Sequence, residues 1–144
     1  MTIQQPFQDL AHQWEQLPLL QGLEVTVTDL EPGRACLAMQ RNDINVSGVR
    51  NSINGGVQAT VGEIAAHLAT STLLSAGEWI EATQDLSISY LYSARAQLTI
   101  IEAHVLRHGR LTVVDVDVRV GDTDEDHGRL NAKARVTCSL ARAK

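Results

Sequence analysis

The chain has 144 residues, 44% hydrophobic and 20% charged, which suits one globular domain spanning 1–144 whose core needs no disulfide or metal staple. Aromatic residues are only 3%, so that core must be aliphatic. A formal net charge of -5 argues against a broad nucleic-acid surface, the first 20 residues lack a basic start followed by an apolar run, and no window reaches the ~20 apolar residues of a membrane span. A soluble, cytoplasmic protein is expected, with neither nucleic acid nor membrane as partner. Cys36 and Cys138 lie far apart and outside any metal-ligand spacing, which reads as two reduced strand thiols.

Over residues 6–17 the apolar Phe7, Leu10, Ala11, Trp14 and Leu17 recur at three- and four-residue steps, and Pro6 suits a first helical turn, so a short amphipathic helix is expected. Residues 23–30 alternate, Glu31-Pro32-Gly33 is a turn, and Ala35, Leu37 and Met39 alternate again, which predicts a β-hairpin. Residues 41–54 are rich in Asn, Ser and Gly without a period and read as a loop. A long helix is expected over 56–75, where Val57, Val61, Ile64 and Leu68 make an apolar stripe. Ala59, Gly62, Ala65, Ala66 and Ala69 keep its other faces small, so it should be closely surrounded.

Beyond Gly77 the period becomes two. Leu86, Ile88, Tyr90 and Tyr92 make one strand, Leu98 and Ile100 a second, Val114 to Val120 a third and Ala132 to Leu140 a fourth. Asp85, Ser87 and Ser89, Asp115, Asp117 and Arg119, and Asn131, Lys133, Arg135 and Thr137 alternate with them, as expected for an antiparallel sheet covered on one face. The separators 93–96, 108–110 and 121–128 are all compatible with hairpins. Asp122, Asp124, Asp126 and Gly128 suggest a calcium loop, but His127 and Lys133 occupy the places of its Gly and bidentate Glu, so an acidic hairpin without metal is expected. Strands grouped on either side of one long helix indicate α+β architecture.

The helix-opening sequence Asn54-Gly55-Gly56-Val57-Gln58-Ala59-Thr60-Val61-Gly62-Glu63, with Asp85-Leu86-Ser87-Ile88-Ser89-Tyr90-Leu91 and Arg107-His108-Gly109-Arg110 downstream, resembles the hotdog-fold thioesterases of the phenylacetic-acid-degradation (PaaI-like) group. The resemblance covers nearly the whole chain. It implies a long central helix wrapped by an antiparallel sheet of about six strands, and an acyl-CoA thioesterase that needs no cofactor and works as a homodimer or homotetramer. Where such proteins have His-Gly-Gly this chain has Asn54-Gly55-Gly56, which keeps a hydrogen-bond donor and loses a titrating group. Members with a helical Glu often carry Gln or Asn seven residues before the first Gly. Gly48 stands there in this chain, with Asn45 and Asn51 as nearby amides.

Thioester hydrolysis needs a donor for the carbonyl oxygen as it gains charge, and the Gly55 N–H at a helix amino terminus can supply it. Glu63, set among Val, Ala, Gly, Ile and Leu, is the candidate catalytic carboxylate, and the resemblance implies that it acts as nucleophile or general base. Eight residues at ~1.5 Å rise put Gly55 and Glu63 about 12 Å apart along one helix, too far to serve one thioester. A composite site is therefore expected, with Gly55 from one subunit and Glu63 from another across a two-fold axis. His67, one turn after Glu63, either tunes it, contacts substrate or is a structural histidine. The resemblance adds Gly56 and Ser89 to the acyl-CoA contacts and gives the coenzyme A phosphates to Arg107, His108 and Arg110. Hydratases of this fold pair a His with the helical acid, which this helix entry lacks. A non-catalytic acyl-CoA-binding or regulatory protein remains the alternative.

Overall fold

In the computed structural model, which describes residues 3, 5–46, 49–95, 97–121 and 129–144, the period-two segments form one six-stranded sheet. The elements run α1 (Gln8–Glu15), α2 (Pro18–Gly22), β1 (Val25–Glu31), β2 (Arg34–Gln40), α3 (Gly55–Ser71), β3 (Glu78–Tyr90), β4 (Leu98–Arg107), β5 (Leu111–Val120) and β6 (Arg129–Arg142). The strand order is β1-β2-β4-β5-β6-β3, every neighbouring pair is antiparallel, and α3 packs across the sheet. The expected hotdog arrangement of a long helix on a six-stranded antiparallel sheet is thus present.

Side-chain alternation explains which face the helix covers. Val114, Val116 and Val118 of β5 are fully buried beneath α3 together with Ala132 and Val136 of β6. Asp115 and Asp117 point the other way, where Lys133 Nζ reaches them at 2.5 and 2.7 Å and Arg135 Nη2 reaches Asp115 at 3.3 Å. Such surface pairs each contribute ~1 kcal/mol or less, so the buried aliphatic face carries the stability. On α3 the small residues let the backbone approach the sheet: a Cβ at Gly62 would already touch Val116 Cγ1 at 3.7 Å. Leu68, wholly buried on the same helix, adds about 1.5–3 kcal/mol by leaving water.

Several expectations are corrected. The first helix begins at Gln8, leaving Pro6 in the preceding turn, and it stops before Pro18 because Leu17 is extended (φ -64°, ψ 132°), as a residue before proline prefers. Pro18 then opens a second, five-residue helix that periodicity did not disclose. The long helix ends at Ser71, where Thr72 caps it and its hydroxyl accepts the Gly33 N–H at 2.8 Å. Strand β3 starts at Glu78, well before Leu86, and the link 93–96 is not a hairpin: β3 pairs with β6 at the sheet's edge while β4 pairs with β2 and β5 inside it. The 108–110 link does join adjacent strands. Asn131 is buried, not on the polar face, because the β5–β6 register shifts at Val118/Arg119; its carbonyl accepts the N–H groups of Leu91 at 2.7 Å and Tyr92 at 3.1 Å. Gly48 and the acidic segment with Asp122, Asp124, Asp126, His127 and Gly128 lie outside the described residues.

Candidate active site

The loop that delivers the chain into α3 is fixed by one buried amide. Asn45 Oδ1 accepts the Asn42 N–H at 3.0 Å, Asn45 Nδ2 donates to the carbonyls of Leu23 at 3.1 Å and Gln40 at 2.8 Å, and its own carbonyl accepts the Asn54 N–H at 2.9 Å. Asn45 is therefore a brace and offers no free amide to a substrate. Asn51 is exposed with φ +60°, and its carbonyl accepts from Arg41.

Asn54 is the N-cap of α3: its Oδ1 accepts the Val57 N–H at 3.1 Å. The cap commits the oxygen, and Nδ2 has no hydrogen bond among the described residues. Gly56 serves this cap, since a Cβ there would stand 3.0 Å from Asn54 Oδ1. Gly55 has a different reason to be glycine. The Tyr90 ring of β3 lies against it, with Cζ 3.1 Å from where a Cβ would be, and the Tyr90 hydroxyl donates to the Gly55 carbonyl at 2.5 Å. Burial raises the Tyr90 phenol above its ordinary pKa, which keeps it a donor near neutrality. Tyr90 was read from sequence only as a strand residue; its contact with Gly55 depends on a pairing across 35 positions that no local pattern encodes.

Beside Gly55 opens a cavity of about 350 Å³ walled by Val49, Ser52, Ile53, Gln58, Tyr90 and neighbouring residues of 91–94. Gln58 is buried; its Nε2 donates to the Ile53 carbonyl at 3.2 Å and its Oε1 has no partner among the described residues. Ser89 is exposed on β3 and does not line this cavity.

Glu63 is half-buried on α3, between the buried Gly62 and Ile64. It has no hydrogen bond or ion pair among the described residues. One turn on, His67 Nε2 lies 2.8 Å from Thr83 Oγ1 of β3, tying the helix to the edge strand. Burial lowers the His67 pKa, with the charge of Glu63 pulling the other way. The same carboxylate adds to the burial that raises the Cys138 thiol. Cys138 and Cys36 are both free and buried.

At the far end of α3 lies a cavity of about 600 Å³, which gathers His108 and Arg110 from the β4–β5 turn, Arg142 from β6, and Glu78 and Glu81 from β3. Arg142 Nη2 pairs with Glu78 Oε2 at 3.1 Å. Arg107 is exposed and does not line it, because the register shifts between Val105 and Arg107. Arg142 was not singled out from sequence, since only strand pairing places it: β5–β6 pairing, Leu111 opposite Ser139, sets the end of β6 beside the hairpin, and Glu78 opposite Arg142 sets it beside β3.

The sequence pattern of the thioesterase superfamily matches residues 50–127, more than half of the chain and all of α3. The chain belongs to the thioesterase superfamily. Solved structures agree in fold. A thioesterase family protein from Silicibacter pomeroyi is 20% identical with a TM-score of 0.84, over 94% of this chain and 98% of that one. A thioesterase from Haemophilus influenzae is 20% identical with a TM-score of 0.81, over 96% and 92%. A mutant thioesterase from Pseudomonas aeruginosa is 14% identical with a TM-score of 0.83, over 97% of each chain. No curated protein matches. Membership of the superfamily supports thioester hydrolysis as the reaction class, and no helix among the described residues is long and apolar enough to cross a membrane.

Proposed function

We propose that the chain is an acyl-CoA thioesterase of PaaI-like type, in which the Gly55 N–H polarises the thioester carbonyl and Glu63 acts as nucleophile or general base. The observation that carries this is the state of Glu63: a half-buried carboxylate on a helix of otherwise uncharged residues, unpaired among the described residues, one turn from His67. An unpaired, partly desolvated carboxylate is a cost to folding that a purely structural helix would shed. As nucleophile it would attack the carbonyl carbon and expel the thiolate, leaving a mixed anhydride for water to open; as base it would take the proton of the attacking water.

The site belongs to a homodimer in this reading, and further pairing gives a tetramer. Gly55 and Glu63 stand about 12 Å apart at ~1.5 Å per residue, so each meets its counterpart on a second, antiparallel α3. Strand β3 favours that assembly: it is 13 residues long, has β6 on one side and no strand on the other among the described residues, and exposes Trp79 and Tyr90. A long uncovered edge of this kind is a template for pairing with another strand. Asn54 Nδ2, freed by the cap, is a second donor at the helix entry, and His108, Arg110 and Arg142 supply cations for the coenzyme A phosphates. A coenzyme A ester as substrate fits a cytoplasmic enzyme.

Turnover of a panel of aryl-CoA and fatty acyl-CoA esters, followed with a thiol indicator, tests the reading. Hydrolysis by the wild type and its loss in Glu63→Gln support it. Binding without turnover across the panel would favour an acyl-CoA-binding protein instead. Mixed dimers of Glu63→Gln with a Gly55-disrupted subunit should regain partial activity if the site is shared.

A further inference from the structure

Past the Gly55 cavity lies a second one of about 380 Å³, walled by Tyr92, Ser93, Arg95 and Arg129. Tyr92 and Ser93 wall both cavities, so the two spaces adjoin. The backbone makes this placement firm: the Ile53 N–H, two residues before the helix, donates to the Ala94 carbonyl at 2.8 Å. The Arg129 guanidinium sits over the Tyr92 ring, 4.8 Å from its centroid, a contact that orients the cation without neutralising it. Among the described residues neither arginine has an ion pair, and no carboxylate lines this cavity. In a chain where Asp and Glu outnumber Lys and Arg 17 to 12, two arginines left facing one cavity invite an anion.

The composite site proposed above, on which this inference rests, says which anion. With Gly55 beside the Glu63 of a second, antiparallel α3, the second helix runs on beyond Gly55 from Glu63 to Ser71, a further ~12 Å at ~1.5 Å per residue. That course carries the second subunit's His108, Arg110 and Arg142 toward the same end of the site as Arg95 and Arg129. A thioester held at Gly55 and Glu63 therefore has cations from both subunits on one side of it, and coenzyme A is the half of the substrate that carries phosphates. We propose that Arg95 and Arg129 bind a phosphate of the coenzyme A nucleotide, closing from the Gly55-bearing subunit an anion site that the other subunit supplies with His108, Arg110 and Arg142. Guanidinium groups suit this task because they offer paired N–H donors to phosphate oxygens.

The test uses the full chain and Arg95→Gln, Arg129→Gln and the double variant; both side chains are exposed, so folding is unaffected. Calorimetric titration with coenzyme A itself should show affinity falling about tenfold for each arginine removed, the size of one charge-assisted hydrogen bond. In the same variants, the ratio of kcat/KM for an acyl-CoA to that for the same acyl group on N-acetylcysteamine should fall by a similar factor, since the truncated ester has no phosphate. Unchanged coenzyme A affinity in the double variant overturns the proposal, as does an equal loss on both esters. A wild type that binds coenzyme A through these arginines yet hydrolyses neither ester refutes the thioesterase reading and leaves the phosphate site standing.

Discussion

Asn54 and Gly56 should be coupled strongly enough that one substitution changes sign with the other. In the wild type, Gly56→Ala places a Cβ 3.0 Å from Asn54 Oδ1, so the cap bond to the Val57 N–H must lengthen or break. Loss of an Asn cap costs about 1 kcal/mol, while Gly→Ala inside a helix returns about 0.5–1 kcal/mol, so Gly56→Ala alone should be neutral to destabilising by about 0.5 kcal/mol. In an Asn54→Ala background the oxygen is gone and only the helix gain remains, so the same change should stabilise by about 0.5–1 kcal/mol. Urea unfolding of the four proteins at one fixed chain concentration, which holds any association constant, yields a coupling of about 1 kcal/mol. Equal effects of Gly56→Ala in both backgrounds would refute the claim that this glycine exists for the cap.

Three further outcomes follow from single side chains. Glu63→Gln should raise the urea midpoint, by about 0.5–1 kcal/mol in stability, while reducing kcat at least ~100-fold; a loss of stability instead would mark Glu63 as structural. Asn45→Leu strips partners from the Asn42 N–H and from the Leu23 and Gln40 carbonyls, so about 3 kcal/mol should be lost at roughly 1 kcal/mol per group, measured by urea unfolding. Because burial holds the His67 pKa below its unfolded value of about 6.5, acidification protonates the unfolded chain first, and stability falls as pH drops from there to the folded pKa. His67→Gln should flatten that stretch by up to about 1.4 kcal/mol per pH unit, and parallel curves for the two proteins would count against it.

What was legible in the sequence is what is local. The run Asn54-Gly55-Gly56 followed by Glu63 announces a helix entry and a half-buried acid because cap, glycines and carboxylate sit within three turns of one another. The valines of β5 announce their buried face by alternation alone. Strand order was not legible: nothing near 93–96 distinguishes a hairpin from a link that leaves β3 at the edge and enters β4 inside the sheet. Residues 78–84 hid the first half of β3 because register shifts at Ile80/Ala82 and Thr83/Asp85 break the period of two, leaving the inward Ile80 and Thr83 three residues apart. Tyr90 and Arg142 were missed because long-range strand pairing brings each to its cavity, β3 with β6 for Tyr90 and β6 with both β3 and β5 for Arg142.

That edge strand bears on the chemistry as much as on the fold. Tyr90 at its end braces the Gly55 peptide, Thr83 near its middle holds His67, and Glu78 at its start holds Arg142, so one strand touches the helix entry, the neighbour of Glu63 and the cationic end of β6. A single edge strand of a 13-residue length is also the least protected part of a sheet when its outer side is bare. Covering it with the β3 of a second subunit would order all three contacts at once, and would bring the two α3 helices together at the spacing that Gly55 and Glu63 require. Association would then do more than supply the second half of the proposed site: it would fix the half that each chain already carries.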